Sequence, residues 1–229
     1  MVGPLGFLSH TWSLAIEEQF YIVWPLLLRW MLSSFSRAWI LASVLAGAVL
    51  SAIVRAGLWT GPDSFPRVFH GSDTRAEALL IGCFVALLLD ARPNRAGSAT
   101  RTATGVVSAI GVLALAWLFS NASTEASWMY RGGFSIAALA AASLVVALRT
   151  APDGPLARVL SVRPLVAIGR ISYGLYLWHW PVFLSLAPQF TGLSDIATLL
   201  VRFAATFAAA TVSWVVLERP VIGWKRQWS

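Results

Sequence analysis

Stretches of helical length without a charged side chain recur along the 229 residues, at 38–54, 102–124 and 132–148. Residues 171–194 form another, whose only ionisable group besides two tyrosines is His179, and 195–217 form a fifth that carries only Asp195 and Arg202. A helix crosses the hydrocarbon of a bilayer with about 20 residues, within a range of about 17–25. No water reaches the backbone there, so such a run folds as a helix that bonds its own amides. Two further runs are less clean. Residues 12–32 are interrupted by Glu17, Glu18 and Arg29, and 73–89 opens with Asp73, Arg75 and Glu77 before a charge-free stretch from Ala78. Counting both gives an all-α, polytopic transmembrane helix bundle of about seven spans, in a single membrane domain over residues 1–229.

Scarcity of charge points the same way. Only 12% of the residues are charged, against about 25% in soluble domains, and the mean hydropathy is +0.71. The net charge of +7 comes from basic residues dispersed between the apolar runs. Arg29 and Arg37 flank the first connection. Arg92, Arg95 and Arg101 fill the third, Arg149, Arg158, Arg163 and Arg170 surround the fifth, and Arg219, Lys225 and Arg226 follow the last run. The intervening connections are poorer in Lys and Arg. This alternation predicts a cytoplasmic C-terminus and an N-terminus on the other side of the membrane. The same dispersion, without a recognition motif, argues against a nucleic-acid partner. No Lys or Arg precedes Arg29, so the start lacks the positive region of a signal peptide. An outside start without a signal peptide implies helices upstream of Met1. Cys83 is the only cysteine, which excludes an internal disulfide, and His10, His70 and His179 are too far apart in sequence to form a ligand set, so no metal is expected. Trp39, Trp59, Trp128, Trp224 and Trp228 fall near run ends, where amphipathic rings favour the membrane interface.

Four segments place polar groups in apolar surroundings. Between His10 and Pro25, Glu17 and Tyr21 are four residues apart and share a helix face. A carboxylate at a span marks a functional candidate, or it sits at the interface with no further role. Ser72–Glu77 reads as a capped helix start, with Asp73 and Arg75 able to pair at the membrane surface. In the third segment Ser172, Tyr176, His179 and Phe183 follow spacings of 4, 3 and 4 and line one face. His179 there is either a proton shuttle or a structural histidine bonded to a neighbouring helix. Pro181 has no N–H to give the Leu177 carbonyl, so the helix should bend beside His179. The fourth comprises Arg202, placed to snorkel outward, and Glu218-Arg219-Pro220 at a span end.

Several of these segments resemble the acyltransferase 3 family of polytopic membrane enzymes, which includes bacterial O-antigen acetylases. The family pattern W-S-L-x-x-E-E-Q-F-Y-x-x-W-P is matched at residues 12–25, D-T-R-x-[DE]-A-L-L-x-G at 73–82, I-S-Y-x-x-Y-L-W-H-x-P at 171–181, and an E-x-P-like ending at 218–220. The resemblance implies an O-acyltransferase that moves an acyl group, commonly acetyl, from acyl-CoA to a hydroxyl of a cell-surface carbohydrate or glycolipid such as lipopolysaccharide. Acyl-CoA is then a co-substrate and no bound cofactor is expected. Family members have further helices before the W-S-L motif, carrying the histidine regarded as the catalytic base and an arginine-rich segment for the donor. The chain is accordingly expected to be a truncated form. Within it, Glu17 and His179 are the catalytic candidates, and Tyr21, Asp73, Arg75, Tyr173 and Tyr176 the candidates for lining a substrate pocket. A polytopic transporter and a non-catalytic remnant are the alternative readings.

Overall fold

A computed structural model describes residues 6–90 and 97–225 of the chain. Arg92, Arg95, Arg226 and Trp228 lie outside the described residues. The described residues are all-α, with helices and turns and no strand. They divide into two compact units, one of Ile16–Val159 and one of Met1–Ala15 with Leu160–Ser229.

The Ile16–Val159 unit holds most of helix α1 (Trp12–Ser34), then α2 (Arg37–Leu58), α3 (Phe65–His70), α4 (Ser72–Asp90), α5 (Ser98–Asn121) and α6 (Phe134–Thr150). Ser36 caps α2, its side chain accepting from the Trp39 amide, which satisfies one of the amides a helix start leaves open. α2 packs on α4, α4 on α6, and α5 on α6. Small residues let α5 and α6 approach closely: a β-carbon on Gly111 would lie 3.0 Å from the Ala140 carbonyl oxygen. At one end of these helices Trp59 and Tyr130 stack with ring centroids 3.6 Å apart, over a core that includes Val68, Leu118 and Met129.

The other unit holds the turn Gly6–Thr11, α7 (Pro155–Leu160) only at its last residue, α8 (Arg163–Arg170), α9 (Ser172–Ser185), α10 (Pro188–Thr191), α11 (Asp195–Ser213) and α12 (Arg219–Lys225). Ser194 caps α11 by accepting from the Ala197 amide.

Four helical segments are long and apolar enough to cross a membrane: Arg37–Leu58, Ser98–Asn121, Met129–Thr150 and Asp195–Ile222. With their wide exposed apolar faces they make the chain an integral membrane protein. The other three apolar runs are helical as well, but each departs from an uninterrupted span. α1 carries Glu17, Glu18 and Arg29, and α4 carries Asp73, Arg75 and Glu77 in its first turns. The run at 171–194 breaks into α9, of 14 residues, and the short α10. The break falls before Pro188, whose ring drives Ala187 into extended backbone at φ −67, ψ 146.

Candidate functional site

The unit containing α9 gathers the chemically most available groups. The 3-10 turn Gly6–Thr11 lays the His10 ring against α9, 5.1 Å from the His179 ring edge-on, 5.4 Å from Tyr176 and 6.2 Å from Trp180, measured between centroids. The Tyr176 hydroxyl bonds the His10 carbonyl at 2.7 Å and Ser13 Oγ at 2.5 Å. A carbonyl only accepts, so the tyrosine donates to His10 and receives the proton of Ser13. Tyr176 thus fastens the Gly6–Thr11 turn to α9. His179 Nδ1 lies 2.5 Å from the Tyr176 carbonyl. The same logic makes Nδ1 the donor and leaves the lone pair of a neutral His179 on Nε2.

His10 is different again. Both of its ring nitrogens are buried and, among the described residues, without a side-chain or backbone bond of good geometry. Burial lowers its pKa below the ordinary histidine value, and the charge of a protonated His179 lowers it further. Backbone groups of Leu177, Tyr176 and Phe7 oppose the shift more weakly. Leu177 is the residue whose carbonyl Pro181 cannot satisfy within the helix. Two further features hold α9 in place. A β-carbon on Gly174 would lie 3.1 Å from the Ala210 backbone, so α9 and α11 touch almost without side chains between them. Arg202 donates to the carbonyls of Leu186 (3.0 Å) and Phe183 (2.9 Å) and covers the Phe183 ring. The guanidinium therefore caps the end of α9, where the sequence had suggested snorkelling toward the membrane surface.

The Ile16–Val159 unit holds a second polar cluster, and this one is closed. Arg55, 3% exposed, pairs with Glu77, 5% exposed. It also donates Nε to the Tyr130 carbonyl at 3.0 Å and Nη2 to Ser135 at 3.0 Å. Ser51 donates to the Asp73 carbonyl at 2.5 Å and accepts from the Glu77 amide at 3.0 Å. The Tyr130 carbonyl is available because Met129–Gly133 forms a π turn, in which the Phe134 amide bonds back to Met129. Ordinary α spacing would direct that amide to Tyr130.

The family model described as an acyltransferase domain matches residues 1–218. The chain belongs to this acyltransferase family. It is 31% identical over 219 residues to O-acetyltransferase OatA of Staphylococcus aureus, covering 93% of this chain and 36% of that protein. It is 32% identical over 221 residues to peptidoglycan O-acetyltransferase OatA of Listeria monocytogenes, covering 93% of this chain and 35% of that protein. The chain spans about a third of the length of the curated relatives it matches. No solved structure matches it.

In this member of the family the candidate residues are distributed unevenly. His179 and Tyr176 meet at the His10 cluster, whereas Tyr173, three residues earlier on α9, is 50% exposed. Glu17 is half-buried and Tyr21 exposed on α1. Asp73 is held by Arg67, which donates to both carboxylate oxygens at 2.9 and 2.6 Å. Arg75 donates Nε to the Phe69 carbonyl and lies over the Phe69 and Phe134 rings. The pairing observed for Asp73 is therefore with Arg67, six residues back, in place of the expected Arg75. A loop between α3 and α4 brings Arg67 into reach. Glu218, expected at a membrane surface, has a buried carboxylate oxygen without a hydrogen-bond partner among the described residues. Among the described residues no three of His, Cys, Asp and Glu gather into a metal-holding group.

Sequence reasoning missed three residues. His10 was counted only as one of three scattered histidines, and nothing in helical periodicity announces a contact across 169 positions with His179. Ser13, within the W-S-L motif, carried no assigned role. Arg55 carried no assigned role either. The available signal was its place in the last turn of α2, directly after an apolar run, where a cation needs a partner.

Proposed function

We propose that the chain is the acyl-transferring membrane portion of an O-acetyltransferase, moving an acetyl group from acetyl-CoA to a hydroxyl of a bacterial cell-surface glycan. The name of the Listeria relative points to peptidoglycan, and it favours that acceptor over the lipopolysaccharide first expected. The observation that carries the reading is the pair of close imidazoles, His10 and His179, with Nε2 of His179 uncommitted. Acyl transfer to an alcohol needs a base for the hydroxyl proton. In the proposed step the acceptor oxygen forms a bond to the thioester carbonyl carbon while Nε2 of His179 takes the hydroxyl proton. The tetrahedral intermediate then expels the CoA thiolate, which recovers that proton as the thiol. Burial holds His10 below the ordinary histidine value and so favours its own neutral form. Tyr176 acts by positioning, since its own proton is committed to the His10 carbonyl. Glu17, Tyr21, Asp73, Arg75 and Tyr173 stay as candidates for contacts to donor or acceptor. The dispersed loop arginines support an inner-membrane location with the C-terminus in the cytoplasm.

The test is acetyl transfer from labelled acetyl-CoA to a glycan acceptor in membranes carrying the full-length gene product. His179→Gln lowers the rate by about 10²–10⁴-fold, the range of a lost general base. Unchanged transfer in that variant, with wild-type expression, sinks the assignment.

A further inference from the structure

A groove of about 420 Å³ runs along the Ile16–Val159 unit and takes no part in the transfer chemistry. α2 and α6 both pack on α4 and leave the trough between them, with Ile81 and Glu77 of α4 as its floor. α2 lines it from Leu45 to Ala56 with one helix face, alanines at the base and Val49 and Ile53 at the rim. The rim residues Val49, Ile53 and Leu139 are 50%, 62% and 60% exposed. Both walls are membrane-crossing helices, so the trough opens sideways into hydrocarbon.

Its dimensions and charge select an occupant. From residue 45 to residue 56 of α2 is about 16 Å at 1.5 Å per residue. Half of a hydrocarbon core about 30 Å thick is about 15 Å. The trough therefore has the depth of one leaflet. Its far end is apolar, and its near end, at the last turn of α2 and the first turns of the α6 span, is polar. There Arg131 and Ser135 join Glu77 in the lining. Glu77 is neutralised by Arg55. Arg131 is exposed, and among the described residues no carboxylate pairs with it. Ser135 accepts from Arg55 and so keeps its own proton to donate. One unbalanced guanidinium and one hydroxyl donor at the headgroup level, above an apolar trough one leaflet deep, complement a phosphate carrying a hydrocarbon chain. We propose that the groove seats one acyl chain of an anionic phospholipid, with its phosphate at Arg131 and Ser135.

The protein in nanodiscs, doped with phosphatidylglycerol bearing a photoactivatable acyl chain, tests this. Mapped cross-links should concentrate on residues 45–56 of α2 and on Leu139, and unlabelled phosphatidylglycerol should compete better than phosphatidylcholine. Arg131→Gln should lower groove labelling about fivefold, the factor expected of one interfacial cation for an anionic headgroup. Ala52→Trp should abolish it by filling the trough. Leu139→Trp, at an exposed rim position, does the same without touching the packed face. Labels spread evenly over the exposed faces of α2 and α5 would overturn the proposal. So would labelling that survives both tryptophan variants, or equal competition by the two lipids.

Discussion

Each unit buries a polar cluster among apolar helices, and the clusters differ in how far their hydrogen-bonding capacity is used. Around Arg55 and Glu77 the guanidinium meets a carboxylate, a freed carbonyl and a hydroxyl, and the neighbouring Ser51 bridges two backbone groups. Around His10 and His179 the Tyr176 hydroxyl is satisfied, while among the described residues both ring nitrogens of His10 are buried without a partner. Polar groups in a low-dielectric interior are costly unless paired. The saturated cluster behaves as a fastener between helices. The unsaturated one keeps open valences for a proton or a substrate.

The sharpest way to break this contrast is to unpair the saturated cluster. Glu77→Leu should destabilise the protein by about 3–5 kcal/mol, because a buried guanidinium is stranded. Replacing both partners, Arg55→Met with Glu77→Leu, should recover most of that loss; thermal unfolding in detergent reads both. A double variant no more stable than the single one would show that the pair does more than neutralise itself. Tyr176→Phe should cost about 1–3 kcal/mol by leaving the His10 carbonyl and Ser13 without their partner. It should also slow transfer without altering its pH profile, since tyrosine is not the base.

A smaller effect follows from His10. Its folded pKa lies below the unfolded value of 6.5, so the unfolded chain binds more protons in the window between them. Stability is therefore fully present above 6.5 and is lost as pH falls through that value, levelling off below the folded pKa. His10→Phe should flatten this acid slope in unfolding curves taken at a series of pH values. The least change is expected at the Arg67–Asp73 pair, where both side chains are about half exposed. Asp73 itself raises the Arg67 pKa, by hydrogen bonding first and then by charge. Arg67→Ala should leave the melting temperature close to wild type, and any difference should vanish in high salt. A large loss there would place this exposed pair with the structural fasteners.

The helical class was legible because apolar run length is a local property, read one segment at a time. The face of α9 followed from spacing alone, and Tyr176 and His179 do share it. The proline at 188 was equally visible, yet its consequence, ending α9 after 14 residues, was masked by the uninterrupted hydrophobicity on either side. Partners separated in sequence were beyond reach. Asp73 has cations at positions 67 and 75, and only the turn geometry chooses between them. Arg55 meets Glu77 across 22 positions and His10 meets Tyr176 across 166. Periodicity carries no information on which helix docks against which.

The π turn at Met129–Gly133 has an evolutionary consequence. It stores one surplus residue in a helix that would be regular without it. Loss of a single codon there would yield a tidier helix by itself, with the Phe134 amide returning to Tyr130. Arg55 would then compete with that amide for one of its acceptors, the Tyr130 carbonyl, and the rest of α6 would swing round by about 100° relative to its neighbours. Length variation among related genes should therefore avoid this short stretch, however freely the connecting loops grow and shrink.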